Sequence, residues 1–528
     1  LRVTVPNGYI IPPLLIIRSK QENMTHRIKN IIASVILLSA CVSANAQAFF
    51  YNGLRFKIES DETCSLEDSW SAPKYTGDIV VPEKVVYNDK VYTVTKIAGA
   101  FFMCDGLTSV SLPETITTIE SQSFEKCTKL TTVNIPGSVT YIGRRAFLGC
   151  NALTGITLPE GLTYLGENAF CWCNEITSIK IPKAIKSIGY ATFASCKLTS
   201  SVTFHDSLTY IGENAFSGCR FTSLTLPASV DSLGSYAFTS CEWLTEINLD
   251  YVSKIGRYAF QNNFNLKSAN ILKAQDVADK SFWECKNIET FVLPYYGWTE
   301  NFKMDFSSLV SLKSLYIGEG TTYIPDAAFG NKLNLLNVYS NAATPPSISP
   351  TTFSYVTHYK GTLYVPKGCI DAYKNAEGWS MFRDFQELPY QVVITDDNVS
   401  VDVSKSITVD ASVTPADATA APVKWYSLDE DIATVTTNGV VTGVAKGEAT
   451  LVAFCDGITA TLKINVTGTD AVESISTDAP TEGTVFDVYN LQGIRVATGI
   501  HKAELSAGRF APGFYILVSP KGCRKIKI

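Results

Sequence analysis

The chain has 528 residues, 46% hydrophobic and 18% charged, with 25 Tyr, 27 Phe and a formal net charge of −6. This excludes a disordered chain, which would be poor in aromatic and β-branched residues, and the acidic balance gives no electrostatic case for nucleic acid. A multi-domain protein rich in β-structure is expected.

Residues 1–23 read as neither a domain nor a targeting signal, and Met24 reads as the true start. Thr25 to Asn30 form a basic start, Ile31 to Ala40 a mostly apolar run, and Ala44-Asn45-Ala46 a small-x-small cleavage site. Residues 24–46 therefore read as a secretory signal peptide; the apolar run is too short to span a bilayer. Leu38-Ser39-Ala40-Cys41 also resembles a lipobox, in which Cys41 would be acylated and kept as the N-terminus. Cleavage after Ala46 is the preferred reading, because folded sequence begins near Phe49 and leaves almost no tether behind a lipid.

Residues 49–93 read as an N-terminal β cap. Phe50-Tyr51-Asn52-Gly53 and Val86-Tyr87-Asn88-Asp89 are strand-turn pieces, and Asp78-Ile79-Val80-Val81-Pro82 previews the motif that follows. End units of a solenoid are atypical because they must present a polar outer face.

Residues 94–365 repeat one sentence about 12 times, in copies of 22–24 residues. Phe101, Phe124, Phe147, Phe170, Phe193, Phe216, Phe238, Phe260, Phe282, Phe306, Phe329 and Phe353 set its phase. A period held this long predicts a solenoid in the leucine-rich-repeat range. In Leu130-Thr131-Thr132-Val133-Asn134-Ile135 alternate residues point to opposite faces, as in a half-buried strand. Gly143, Gly166, Gly189, Gly212, Gly234 and Gly256 are expected to turn the chain with positive φ before each Phe. Pro113, Pro136, Pro159, Pro182, Pro227 and Pro294 help end each strand. Stacked Phe rings should each contribute about 1.5–3 kcal/mol through burial, and no copy can bury its face alone.

Cys104, Cys127, Cys150, Cys173, Cys196, Cys219, Cys241 and Cys285 each follow a Phe by three residues, and Asn263 takes that place once. Rungs about 4.8 Å apart with parallel side chains exceed the spacing a disulfide prefers. Asn cannot join a disulfide, yet like a thiol it can bond a buried turn carbonyl. A ladder of reduced structural thiols is expected. The extra Cys171 makes Cys-Trp-Cys, which reads as one ladder member plus a neighbour rather than a metal site.

The sentence Leu-x-x-Ile-x-Leu-Pro-x-x-x-x-x-Ile-Gly-x-x-Ala-Phe-x-x-Cys resembles the BspA-type leucine-rich repeat of bacterial surface proteins over about residues 94–365. The resemblance implies an adhesin-like role, secreted or on the outer cell surface, in binding host or microbial proteins or glycans. The last copies depart from it, with Leu309, Lys332 and Val356 at the Cys position.

Exposed strand residues should line up across such a sheet. Early copies show small neutral pairs such as Thr132/Asn134 and Ser201/Thr203, whereas later ones bring Tyr316, Tyr339 and Tyr364, with Tyr295, Tyr296 and Trp298 nearby. The three stacked tyrosines are expected to form the exposed ligand anchor, since Tyr offers contact area at low entropic cost; sheet packing alone would also favour them.

Residues 366–388 read as a C-terminal cap, resembling the closing segment of BspA-type arrays in which a short helix covers the final rung. Residues 391–466 change to short alternating strands with turns such as Asn438-Gly439, the pattern of a small β-sandwich with Trp425 in its core. Val413 to Ala418, Ile432 to Val435 and Gly443 to Gly447 resemble the group 2 bacterial immunoglobulin-like domain, often a spacer on surface proteins. Residues 467–482, without aromatics, read as a linker. Residues 483–528, with Val488 to Gly493, Ala511 to Ile516 and a basic close, resemble the C-terminal sorting domain of Bacteroidetes type IX secretion.

No catalytic constellation assembles. His26, His205, His358 and His501 lack ligand-spaced partners or a nucleophile motif, and Asp396-Asp397-Asn398 and Asp429-Glu430-Asp431 sit at turns. The chain is read as non-enzymatic and monomeric, with no cofactor, metal or transmembrane segment. Two roles stay open. One is a binding module for a protein or glycan, including host extracellular matrix; the other is a structural spacer without its own ligand.

Overall fold

The computed structural model describes residues 47–68, 74–199, 201–396, 399–416, 418–468, 485–490, 495–501, 514–519 and 522–527. Residues 1–23, the expected signal 24–46 with Cys41, and most of the expected linker 467–482 lie outside them.

The chain enters through an antiparallel meander, Ala48–Tyr51, Leu54–Ile58 and Thr63–Glu67. Its first tight turn uses residues that tolerate left-handed backbone, Asn52 and Gly53, and so do Asn88 and Asp89 in the separate hairpin of Lys84–Tyr87 and Lys90–Ala98. The strand Lys90–Ala98 pairs with Thr63–Glu67 on one side and with the first rungs on the other, so the cap is continuous with the solenoid.

Each rung carries two strand positions. The expected alternating strands form one row, from Leu107–Ser111 to the six-stranded parallel sheet that runs from Ser268–Asn270 to Asp384–Glu387. A second row of two-residue strands precedes each glycine, as in Tyr141–Ile142, Tyr164–Leu165, Ser187–Ile188 and Tyr210–Ile211. Between the rows, Phe101 to Phe282 form one stack of fully buried rings 4.8–5.7 Å apart.

The recurring glycines do not work as expected from sequence. Positive φ falls elsewhere, at Arg145, Asn168, Asn214 and Tyr258 before Ala-Phe, and at Lys126, Gly149, Trp172 and Gly218 before Cys. Gly143 and Gly166 are needed instead because a Cβ there would lie 2.4 Å from backbone nitrogen of the preceding rung. Close stacking, not turn handedness, selects glycine at these positions.

The thiols are unpaired with one another and buried. Cys127, Cys150, Cys173, Cys196, Cys219, Cys241 and Cys285 each donate to the carbonyl of a Phe in the preceding rung, at 3.0–3.3 Å. Asn263 Nδ2 makes the same bond to Phe238 at 3.0 Å. Burial pushes the Cys241 and Cys285 thiols up to about 12, so they stay neutral.

Beyond Phe282 the stack breaks: Phe306 meets Phe329 edge-on, and Ser308 rather than a thiol bonds the Phe282 carbonyl. The helix Ile370–Asn375 and a single turn at Trp379–Met381 plug the end with Tyr373 and Trp379, both fully buried. Asp384–Glu387, expected within the cap, adds one more parallel strand.

The next unit packs Lys424–Ser427, Gly447–Cys455, Ile458–Thr467 and Val399–Asp402 against a three-stranded sheet, with Trp425 in the core between them. Four antiparallel strands follow, Val485–Asn490, Arg495–His501, Phe514–Ser519 and Gly522–Lys527.

Candidate binding surface

Tyr316, Tyr339 and Tyr364 are in register on adjacent strands and stack at 4.3 and 4.5 Å, within 9° of parallel. The column is only partly open to solvent. The hairpin joining Gly447–Cys455 to Ile458–Thr467 rests on the column so closely that a Cβ on Gly457 would lie 2.2 Å from the Tyr316 ring. Asn341 Nδ2 donates to the carbonyls of Ile317 and Gly457, and Asn341 Oδ1 accepts from the Thr459 N–H.

Around that contact the immunoglobulin-like unit buries an apolar patch. Leu272, Val292 and Tyr295 of the solenoid meet Tyr426, Leu428, Val452 and Phe454, with Tyr251 and Tyr316 at the edge. Polar pairs frame it: Lys424 and the Tyr426 hydroxyl both reach Asp250 at 3.2 Å, and the buried Lys273 pairs with Glu430. Glu319 accepts from Thr461 at 3.1 Å, and burial raises its carboxyl above the usual range.

The expected exposed anchor is thereby corrected. Tyr295 is 8% exposed and belongs to the interdomain core. Trp298 packs on Phe302, Phe306 and Phe329. Tyr316, Tyr339 and Tyr364 are half-buried, and Tyr296 alone of the group is open. An outward position on a strand means only that a side chain leaves its own core. Here a second domain folds back over it, which alternation along one strand does not encode.

An open aromatic row lies elsewhere, on the second strand row of the early rungs. Tyr141, Tyr164 and Tyr210 precede their Ile-Gly or Leu-Gly pairs and are 36%, 46% and 40% exposed. Tyr141 and Tyr164 stack at 4.6 Å, and Tyr190 is exposed just beyond Gly189. The signal was available in the sequence: the residue before each Ile-Gly alternates with a buried one, and in these rungs it is repeatedly Tyr.

On the first row the early rungs offer little. Thr131, Thr154 and Thr245 spend their hydroxyls on the carbonyls of Thr108, Thr131 and Thr222. Among the described residues no group of three or more His, Cys, Asp or Glu could hold a metal. His205 caps a strand end, Nε2 to the Ile185 carbonyl and Nδ1 accepting from Ser207. His358 is buried and held neutral by desolvation. Cys171 packs with Leu148, Ala191 and Ala194. Asp429 accepts from the Thr450 N–H, a structural turn contact.

The described BspA type leucine rich repeat region matches residues 95–220, 163–289 and 250–360, and the bacterial Ig-like domain (group 2) matches residues 390–469. No curated protein matches the chain. Among solved structures, a leucine rich cell surface protein from Faecalibacterium prausnitzii is 22% identical, with 65% of this chain and 96% of that one covered at a TM-score of 0.40. A leucine-rich repeat protein from Bacteroides ovatus is 21% identical, covering 64% and 99% at 0.39. The pneumococcal vaccine antigen PcpA is 19% identical, covering 65% and 99% at 0.38. Among the described residues no helix is long and apolar enough to cross a membrane.

Proposed function

The chain belongs to the BspA type leucine rich repeat proteins, and from that premise we propose that it is a non-enzymatic, adhesin-like binding protein, secreted or held on the outer cell surface. The ligand is a protein or glycan met by the solenoid. The observation that carries this reading is the uncovered row of Tyr141, Tyr164 and Tyr210: large exposed aromatics in one line are what a binding surface uses and a passive one avoids. Tyr339 and Tyr364, stacked beyond Tyr316 and half-buried, are left for a supporting role. The signal-like residues 24–46 and the basic-ended tail 483–528 support export, the tail as a sorting unit.

A second reading has its own support. The docked immunoglobulin-like unit stiffens the chain where a hinge would otherwise lie, which suits a spacer. Changing Tyr141, Tyr164 and Tyr210 together to Ser separates the two. Capture by immobilised host matrix proteins or by a glycan array should fall at least tenfold, with the melting temperature unchanged. Unchanged capture would leave the spacer.

A further inference from the structure

The tyrosine row lacks one member. Tyr141 and Tyr164 stand in register, and on the far side Ser187 stands in register with Tyr210. One face of Tyr164 is covered by Tyr141, and two rungs on, past Ser187, the same position is held by Tyr210. With rungs about 4.8 Å apart, two steps separate Tyr164 from Tyr210 by about 10 Å.

The rungs are also looser here than elsewhere in the row. Strand pairing joins Tyr141–Ile142 to Tyr164–Leu165 and Ser187–Ile188 to Tyr210–Ile211, but not the two pairs to each other. Gly166 and Gly212 donate to Ile142 and Ile188, whereas among the described residues the Gly189 N–H has no such bond to Leu165. A Cβ on Gly189 would come no nearer than 4.0 Å to backbone, against 2.4 Å at Gly166. The Phe stack widens from this step, from 5.1 to 5.7 Å, and stays at 5.6 Å as far as Phe260.

We propose that this gap seats one pyranose ring of a neutral oligosaccharide, sandwiched between Tyr164 and Tyr210 above Ser187. The inference rests on the binding role proposed above and names its ligand class. A flat aromatic ring touching both tyrosines at about 3.5–4.0 Å would fill only about 7–8 Å. A puckered chair with axial C–H bonds on both faces is thicker and suits the wider gap. Sugar hydroxyls find the Ser187 side chain and the free Gly189 N–H at the floor, and the exposed Tyr190 at the side. The exposed charges around it balance, Arg144 and Lys186 against Glu167 and Glu213, so nothing at the rim selects an anionic sugar.

A glycan array carrying neutral, sialylated and sulfated oligosaccharides, probed with the full chain, tests this. Neutral members should be retained. Ser187→Tyr completes the aromatic row and should reduce their retention at least tenfold, as should Tyr210→Ser. Tyr323→Ser, at an exposed tyrosine of a late rung far from the gap, should change it less than threefold. Melting temperatures separate occlusion from misfolding, and Tyr210→Ser keeps the test valid if Ser187→Tyr fails to fold. Retention of anionic glycans only, no glycan retained at all, or wild-type binding by Ser187→Tyr with Tyr210→Ser overturns the proposal. If matrix proteins rather than glycans are captured in a way that depends on Tyr141, Tyr164 and Tyr210, the sugar is wrong and the binding role stands. If the triple Ser change leaves all capture intact, both fail.

Discussion

The early and late rungs of this solenoid differ in what their aromatic residues do. From Phe101 to Phe282 the inner rings repeat with near-parallel stacking, and the outer tyrosines of the second row meet solvent. After Phe282 rings meet edge-on at Phe291–Phe306 and Phe306–Phe329 before Phe329 and Phe353 stack again, and Tyr316 of the first row lies under a second domain. The second row stays open even there, with Tyr323 exposed, so the cover is confined to the first row of the late rungs. Once the repeat degrades, each rung offers a distinct shape, and a single partner surface can fit it. In this chain that partner is the neighbouring domain.

The largest effect should come from breaking the regular stack. Phe147→Ala removes a ring buried between Phe124 and Phe170 and should cost about 3–5 kcal/mol in chemical denaturation. Hydrogen exchange should rise first in the flanking early rungs, because each rung relies on its neighbours. Exchange that rises equally in the late rungs and the immunoglobulin-like unit would mean that the two regions share one cooperative unit.

Next comes the interdomain contact. Gly457 has a φ of 89° and lies against Tyr316, so Gly457→Val should cost the docked state about 1–3 kcal/mol by overpacking, with backbone strain added. The Thr459 amide, which donates across the contact to Asn341, should lose protection while early-rung amides keep theirs. Unaltered Thr459 protection would show that the hairpin does not hold the domain in place.

These contrasts also mark what the sequence made legible. The Phe and Cys columns could be read because a fixed spacing leaves a stacked side chain only one place to go. The role of Asn263 was readable for the same reason: its amide can replace a thiol only as a donor to a carbonyl. The glycine role was misassigned because Ile-Gly looks the same whether glycine is needed for φ or for space. The covered Tyr316 column was misread for a different reason. Its cover comes from Gly457, 141 residues later, and no local pattern ties the two together.

A smaller effect concerns the thiols. In the folded chain Cys241 and Cys285 should resist alkylation at pH 8, since burial keeps them protonated, while the half-exposed Cys369 should react first. Denatured but unreduced protein should then label throughout the ladder. Cys219→Asn should be nearly neutral and Cys219→Ala should cost about 0.5–1.5 kcal/mol for the lost bond to Phe193. A disulfide recovered from within the array would contradict the ladder.

The smallest effect is the one that isolates electrostatics at the contact. Glu319 lies beneath the docked hairpin, with Oε1 bonded to Thr461 and Oε2 buried with no partner among the described residues. Burial raises its carboxyl in the docked state, outweighing the Thr461 bond that lowers it. A raised acid binds its proton more tightly when docked than when free, so its contribution favours docking at low pH. That contribution is lost as pH climbs through the raised value. Glu319→Gln keeps an acceptor for Thr461 and removes the buried charge. Docking at neutral pH should tighten by less than Gly457→Val loosens it, and the loss of Thr459 protection as pH rises through the raised Glu319 value should disappear. If Glu319→Gln instead weakens Thr459 protection at pH 7, the carboxylate is a favourable partner in the contact and its burial is compensated.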